Sequence, residues 1–311
     1  MIKNITEYLA KLKTEMRGCD PALIQDALSD AEEHLQNALE EALKGSPEIS
    51  KQAALESSVE KYGTPQEVAS AYREIESRMR PALAPAEPAR TKRRSFWAKF
   101  FGAAGESRTW GAFLYILISG LTAVVCGTWA LLGGAFSLFS LVLIIGIPVT
   151  GLFLLSLRGI ALVEGRIIEA LTGIRMPRKP VFLRRSLNWR QKYKALVTES
   201  YTWKIFAYIV LHFPLGFTYF FITLTLLSLS LKFALYPVWF WVFERPLITL
   251  NQPFYPNAWL IPLIAACGIA LFFSTLHLIR FIGRVHGRFA KSMLVRKQEP
   301  TPQGGTQGGT Q

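Results

Sequence analysis

The chain lacks the residues and motifs on which most enzymes and secreted proteins depend. Its three cysteines, Cys19, Cys126 and Cys267, are too few and too scattered for a disulfide framework. It contains no phosphate-binding loop, no HExxH, no CxxC and no nucleophile elbow. We therefore predict no catalytic residues, no cofactor and no metal ligands, and a chain that is not an enzyme.

Acidic residues become scarce after residue 80. Residues 1–80 hold ten Lys or Arg and 15 Asp or Glu, whereas the rest of the chain holds 25 and seven. The net charge of +13 would ordinarily suggest a nucleic-acid partner. Here the basic residues flank apolar stretches, where membrane topology and anionic lipid headgroups account for them. We expect no direct nucleic-acid binding.

Long uncharged runs are what the sequence has in abundance. Four of them are long enough to cross the ~30 Å hydrocarbon core of a bilayer as helices. They cover residues 113–132, 136–157, 205–231 and 259–279. Of the 25 basic residues after residue 80, 23 lie before the first span, between the second and third, or after the last. The turn at residues 133–135 has none, and the loop before the fourth span has Lys232 and Arg245. This asymmetry predicts a multi-pass cell-membrane protein with both termini in the cytoplasm.

Residues 1–80 are predicted to form a small helical domain. A capping residue followed by proline marks three helix starts, at Asp20-Pro21, Ser46-Pro47 and Thr64-Pro65. Glu67 completes a capping box with Thr64, and Gly63 supplies a stop for the preceding helix.

The domain organisation follows from these segments. We predict an all-α fold with the helical domain at residues 1–80 and a basic, proline-rich linker at residues 81–94. A four-helix transmembrane domain with interfacial amphipathic helices occupies residues 95–297, and a disordered tail occupies residues 298–311.

Two segments between the second and third spans are predicted to lie in the membrane surface. Residues 186–199 have apolar residues at helical spacing, with basic residues around the rest of the wheel. Residues 158–171 are similar, but Glu164 falls inside their apolar face. Either Glu164 pairs with a nearby arginine, or this helix packs on protein instead of lipid.

The third span contains the polar group with the strongest claim to a function inside the membrane. His212 lies about 10 Å deep, where polar side chains are costly and face protein or water. The interpretation we favour is a hydrogen bond to a carbonyl that Pro214 leaves free. The alternative is a functional role for His212. Pro214 and Gly216 form a candidate hinge.

Small residues repeat at every fourth position in two spans, which lets helices approach closely in lipid. These residues are Ser119, Ala123 and Gly127 in the first span and Ala266, Ala270 and Ser274 in the fourth. Packing within one chain is the reading we favour, and homodimerisation is the alternative.

The loop before the fourth span is rich in aromatic residues, which usually anchor a protein at the membrane interface. It also contains an acidic residue on the side predicted to face outward. The alternative hypothesis is a surface that senses an amphiphile or lipid. This surface would be formed by Trp239, Trp241, Phe243, Glu244 and Arg245.

Two parts of the chain resemble known bacterial families. The first resembles the HAAS signalling domain, through Tyr8, Leu9, Leu12, Asp30, Glu33, His34, Leu35, Glu40, Tyr62, Gly63, Thr64, Pro65, Glu67 and Val68. The second resembles the transmembrane sensor domain often found ahead of histidine kinases, through Thr202, Trp203, Lys204, Phe213, Pro214, Leu215, Gly216, Pro237, Val238, Trp239, Phe240, Trp241 and the basic helix at residues 284–294. No kinase module follows, so phosphotransfer is not expected. The first resemblance implies a PadR-like transcriptional regulator as a partner.

These observations favour a membrane sensor that signals to a cytoplasmic regulator through its N-terminal domain. Two alternatives remain at this point. A membrane subunit of a transporter or lipid-handling complex would need a polar path through the spans, and the chain offers few candidates for one. An enzyme acting on lipids would need a catalytic partner for His212 or Glu164, and no motif supplies one.

Overall fold

The computed structural model describes residues 2, 4–45, 50–78, 83, 95–143, 146–178, 189–244, 246–249 and 253–296. Helices make up most of these residues, which confirms the all-α prediction. Two strands of two residues each, β1 (Ile248–Thr249) and β2 (Pro253–Phe254), form an antiparallel pair. Except for Leu83, the predicted linker lies outside the described residues, and so does the predicted disordered tail.

The chain divides into two compact units. The N-terminal unit comprises Met1–Arg80, Arg175–Ser186 and Met293–Gln311. The membrane unit comprises Pro81–Ile174 and Leu187–Ser292. The first unit therefore combines the N-terminal helices with two segments that are remote in sequence.

The N-terminal unit contains four helices: α1 (Ile5–Glu15), α2 (Pro21–Gly45), α3 (Lys51–Tyr62) and α4 (Pro65–Arg78). The capping box is formed as predicted, because the N–H of Glu67 donates to Thr64 Oγ1 at 3.3 Å and the N–H of Thr64 donates to Glu67 Oε2 at 2.8 Å. The N–H of Thr64 and, at 2.9 Å, its hydroxyl both donate to Glu67 Oε2, and these two hydrogen bonds lower the pKa of Glu67.

The predicted start of α3 at Ser46-Pro47 is wrong. The helix begins at Lys51, because the hydroxyl of Ser50 accepts the N–H of Ala53 at 3.2 Å and caps the first turn. Residues 46–49 lie outside the described part of the chain.

The core of the N-terminal unit is apolar and centred on α1 and α2. Tyr8, Leu12 and Leu35 are fully buried in it. The hydroxyl of Tyr8 donates to the carbonyl of Gly63 at 2.8 Å, which ties α1 to the turn between α3 and α4. Gly63 has φ of +107°, a conformation that favours glycine, so the predicted stop is present.

The described part of the membrane unit contains seven α-helices. They are α5 (Phe96–Phe101), α6 (Ser107–Ser140), α7 (Gly146–Thr172), α8 (Trp189–Thr198), α9 (Ser200–Ala234), α10 (Tyr236–Trp241) and α11 (Ile261–Leu294). Four of these, α6, α7, α9 and α11, are long and apolar enough to cross a membrane. The chain is a multi-pass membrane protein.

The predicted turn at residues 133–135 is wrong. Helix α6 continues to Ser140, and the chain reverses between this residue and Gly146. Gly133 lies within α6 and allows close packing instead of a turn, because a Cβ at this position would lie 2.7 Å from Cε2 of the Phe153 ring. The actual turn also contains no Lys or Arg, so the charge asymmetry is unchanged.

The segments predicted to flank the spans are mostly continuous with them. Residues 158–171 do not form a separate surface helix, because they continue α7 to Thr172. The basic helix at residues 284–294 likewise continues α11. Helix α8 lies within the predicted surface segment at residues 186–199, and residues 186–188 are outside the described part.

Candidate functional site

Three titratable side chains from different spans meet inside the membrane unit. Glu164 comes from α7, His212 from α9 and His286 from α11, and their side chains are almost inaccessible to solvent. One ligand atom from each lies within 4.8 Å of the others, and His212 Nε2 is 3.5 Å from Glu164 Oε1. We call these three residues the His–Glu cluster.

Two fully buried tyrosines border the His–Glu cluster. The hydroxyl of Tyr115, on α6, donates to Glu164 Oε1 at 3.3 Å. The hydroxyl of Tyr208, on α9, lies 3.3 Å from Nε2 of His286. All four spans therefore contribute a polar group to one buried region.

The favoured prediction for His212 is wrong. Neither of its ring nitrogens has a hydrogen-bond partner among the described residues, so the bond to a carbonyl freed by Pro214 is not formed. The imidazole stacks on Tyr208, with ring centroids 5.6 Å apart and an interplanar angle of 20°. This stacking places the ring beside Glu164 and His286 instead. Pro214 lies within the continuous helix α9.

The structure decides between the two alternatives for Glu164. Its helix packs on protein, and the described contacts of Glu164 include no arginine. The neighbouring arginines have other partners: Arg158 pairs with Glu199 at 2.5 Å, and Arg166 pairs with Glu169 at 3.4 Å. In the sequence, Glu164 and His212 stand out separately, whereas His286 was missed because it lies within a basic helix and has no local signal of its own.

The small residues of the first span lie between α6 and α9. Ser119, Ala123 and Gly127 are all buried. A Cβ on Gly127 would lie 2.6 Å from Cβ of Phe213, and a Cβ on Gly216 would lie 2.7 Å from Cβ of Ala123. Gly216 is thus a point of close helix approach.

The small residues of the fourth span behave differently. Ala266, Ala270 and Ser274 are exposed, so the prediction that they pack within the chain is wrong. A close contact of this helix is made by Gly268 instead, where a Cβ would lie 2.2 Å from the backbone N of Ala234.

The aromatic loop presents an open surface. Trp239, Trp241 and Phe243 are each about half exposed or more, and the rings of Trp239 and Phe243 are 5.7 Å apart. Glu244 is exposed and has φ of +49°. Arg245 lies outside the described residues.

A second concentration of buried charge lies in the N-terminal unit. The guanidinium of Arg175, only 8% exposed, donates to Glu76 Oε2 at 2.6 Å and lies 3.5 Å from Asp26 Oδ2. The N–H of Arg178 donates to Asp26 Oδ1 at 2.8 Å. We call Arg175, Asp26 and Glu76 the arginine latch.

Helix α2, which contains Asp26, also contacts the segment at the end of α11. Gln25, adjacent to Asp26 on α2, accepts the N–H of Arg296 at 2.8 Å. Leu294 and Val295 are buried. Helix α2 therefore contacts both the segment that follows α7 and the segment that ends α11. In the sequence, Arg175 and Arg296 are two of the basic residues that set the membrane topology, and no local pattern marks their partners.

A surface cleft of about 470 Å³ lies elsewhere in the N-terminal unit. It is lined by Asp30, Glu33, His34, Asn37, Tyr62 and Tyr72, which we call the acidic cleft. His34 stacks on Tyr62 with centroids 4.7 Å apart, and the hydroxyl of Tyr72 donates to Asp30. Burial, followed by the charge of Asp30, raises the pKa of Tyr62 to about 12, so its hydroxyl stays neutral.

Comparison with known families confirms both resemblances. A family model described as "Putative sensor" matches residues 115–294, and a model described as HAAS matches residues 7–71. Both describe signalling domains without catalytic activity. No curated protein and no solved structure matches the chain. The first match contains the whole His–Glu cluster, and the second contains the whole acidic cleft except Tyr72.

Proposed function

The chain belongs to the "Putative sensor" family, and we propose that it is a non-enzymatic membrane sensor that passes a signal to a cytoplasmic regulator. The N-terminal unit is the output module in this proposal, and the spans are the input module. The 23 basic residues flanking the spans on one side support a cytoplasmic location for both termini.

The arginine latch is the observation that carries this proposal. Arg175 follows the end of α7 by three residues, and Arg296 follows the end of α11 by two. Both bind α2 of the N-terminal unit. A shift of either span relative to the other would therefore strain these contacts. Two helix arrangements of similar energy, biased by the stimulus, are what such a mechanism requires.

The exposed aromatic loop supports the input side. With both termini in the cytoplasm, Trp239, Trp241 and Phe243 lie at the outer face, where a lipid or amphiphile can reach them. The loop joins α9 to α11, so a ligand bound there acts directly on a helix that ends at the N-terminal unit.

The acidic cleft supports the output side. Asp30 and Glu33 give it negative charge, and His34 and Tyr62 give it stacked rings. A basic segment of a DNA-binding regulator, of the PadR-like class that the HAAS resemblance implies, fits this chemistry. The acidic cleft and the arginine latch both contain side chains of α2. We therefore expect a movement of α2 at the arginine latch to change the position of the residues that line the acidic cleft.

The test is purification of the full chain in mild detergent together with its soluble partners, followed by mass spectrometry. We expect a PadR-like regulator to be retained by the wild-type chain and lost from the Asp30→Asn, Glu33→Gln double variant. The matched control is Glu40→Gln, Glu41→Gln on the same helix but outside the acidic cleft, which should retain it. Retention of a transport ATPase in place of a regulator, or equal loss in both variants, would contradict the proposal.

A further inference from the structure

We propose that the His–Glu cluster binds a divalent transition-metal ion of the zinc class inside the membrane unit. The inference goes beyond the sensor function and does not depend on it. It rests on the geometry of Glu164, His212 and His286, whose side chains come from three different spans.

The donor set is the one that such an ion prefers. Two imidazoles and one carboxylate are a common set of three protein ligands for Zn²⁺, with a fourth position left for water. At Zn–ligand distances of about 2.0–2.1 Å, tetrahedral ligand atoms lie about 3.3 Å apart. The 3.5 Å between His212 Nε2 and Glu164 Oε1 is already close to that value. All three ligand atoms lie within 4.8 Å of one another, so small side-chain movements would bring them to the tetrahedral spacing.

The charge balance of the buried region also favours a cation. The Glu164 carboxyl is 95% buried, and its described polar neighbours include the hydroxyls of Tyr115 and Thr122 and the rings of His212 and His286. None of these carries a fixed positive charge. A buried carboxylate needs a compensating cation or must be neutralised, and a divalent ion bound by two neutral imidazoles supplies that charge.

Unpartnered nitrogens give a second, independent observation. Both ring nitrogens of His212 and Nδ1 of His286 are buried without a hydrogen bond in the described structure. Leaving such groups unpaired costs free energy that a metal–ligand bond removes. Nε2 of His286 is held by the Tyr208 hydroxyl, which resembles the outer-shell support that metal-binding histidines usually have.

Binding has a structural consequence. A single ion would join α7, α9 and α11 at one point, and α7 and α11 are the helices that lead to Arg175 and Arg296. An occupied site would therefore hold one arrangement of these helices. In this view the ion is a structural or regulatory element that fixes the three spans at a buried point.

The first experiment measures metal binding by the full chain in detergent after treatment with a chelator. Titration with Zn²⁺ should show one saturable equivalent per chain, and Co²⁺ should give the visible absorption of a four-coordinate site. Each of Glu164→Gln, His212→Gln and His286→Gln should weaken binding by more than the roughly 10- to 100-fold that loss of an outer-shell partner costs. The matched control is His277→Gln, on the same helix as His286 but bonded to the carbonyl of Phe100, which should bind as the wild type does.

A second variant gives a signal that misfolding cannot imitate. In a chain with Cys19, Cys126 and Cys267 replaced by Ser, His212→Cys should bind Co²⁺ with a thiolate-to-metal charge-transfer band. This band appears only if the side chain at position 212 is a ligand. Absence of saturable binding by the wild-type chain, or equal binding by all three Gln variants and the wild type, would overturn the proposal. A Co²⁺ complex of His212→Cys without the thiolate band would overturn it as well.

Discussion

The arginine latch and the His–Glu cluster treat buried charge in opposite ways. In the N-terminal unit, Arg175 meets the carboxylates of Asp26 and Glu76, so positive and negative groups are buried together. In the membrane unit, Glu164 is buried just as deeply, but it meets hydroxyls and an imidazole. In the first arrangement, a guanidinium of the same chain lies against the buried carboxylates. An added cation would stabilise the second arrangement. This contrast is why we propose a binding site at the His–Glu cluster and not at the arginine latch.

The largest expected effect comes from breaking the arginine latch. Arg175→Met removes the buried guanidinium that contacts Asp26 and Glu76, which should cost about 3–5 kcal/mol. Limited proteolysis and denaturant unfolding of the full chain would show the loss in the N-terminal unit. Arg78→Met is the control, because its pair with Glu74 is solvent-exposed and worth about 0–1 kcal/mol. Equal effects of the two substitutions would contradict the account.

Glu164→Gln should change the free energy of unfolding in the opposite direction when the protein is kept free of metal. It removes a buried charge that lacks a cationic partner, so we expect unchanged or higher stability, by up to about 1–3 kcal/mol. Thermal unfolding in detergent with a chelator present would measure this. A loss as large as that of Arg175→Met would mean that Glu164 already has an adequate counter-charge within the chain.

Close packing between α6 and α9 keeps His212 and Tyr115 in one region, and Gly216 tests it. A Cβ at this position would lie 2.7 Å from Cβ of Ala123, so Gly216→Val should cost about 1–3 kcal/mol. Gly159→Val on α7 provides the control, since no atom of the described residues outside the backbone of α7 lies within 4 Å of a Cβ there. Thermal unfolding in detergent would compare the two, and a Gly216 variant as stable as the control would show that these helices are less closely packed.

The sequence predicted the features that depend on neighbouring residues. The number of spans, the charge asymmetry and the capping box of α4 all follow from local patterns, and the structure contains the four spans and the cap. The turn between the first two spans was misplaced, because Gly133 indicates a loop until the ring of Phe153 is known to pack on it. The start of α3 was misplaced for a similar reason, since two serines near it can both act as caps.

The candidate sites depend on contacts that no local pattern encodes. Glu164, His212 and His286 are separated by dozens of residues, and each alone has an ordinary structural explanation. Arg175 looks like any other basic residue beside a span until Asp26 and Glu76 are found around it. Only the folded chain shows that these residues share a buried environment.

The smallest expected effect is a pH dependence confined to the N-terminal unit. The folded-state pKa of Tyr62 is about 12 instead of 10. Its contribution to the free energy of unfolding is therefore complete below pH 10 and is lost as pH rises from 10 towards 12. Tyr62→Phe should make the decline in unfolding free energy over this range shallower. Denaturant unfolding of the full chain at several pH values would measure both slopes. Identical slopes would mean that Tyr62 ionises as freely in the folded state as in the unfolded chain.

The most direct test of the proposed coupling between the spans and the N-terminal unit asks whether α2 contacts the segment at the end of α11 in a native membrane. Gln25→Cys and Arg296→Cys, in a chain without its natural cysteines, should be joined rapidly by a short bifunctional thiol reagent, because the N–H of Arg296 lies 2.8 Å from Gln25 Oε1. Asn37→Cys with Arg296→Cys, which places the first thiol in the acidic cleft, should react far more slowly. Equal rates for the two pairs, or no cross-link between positions 25 and 296, would contradict the account.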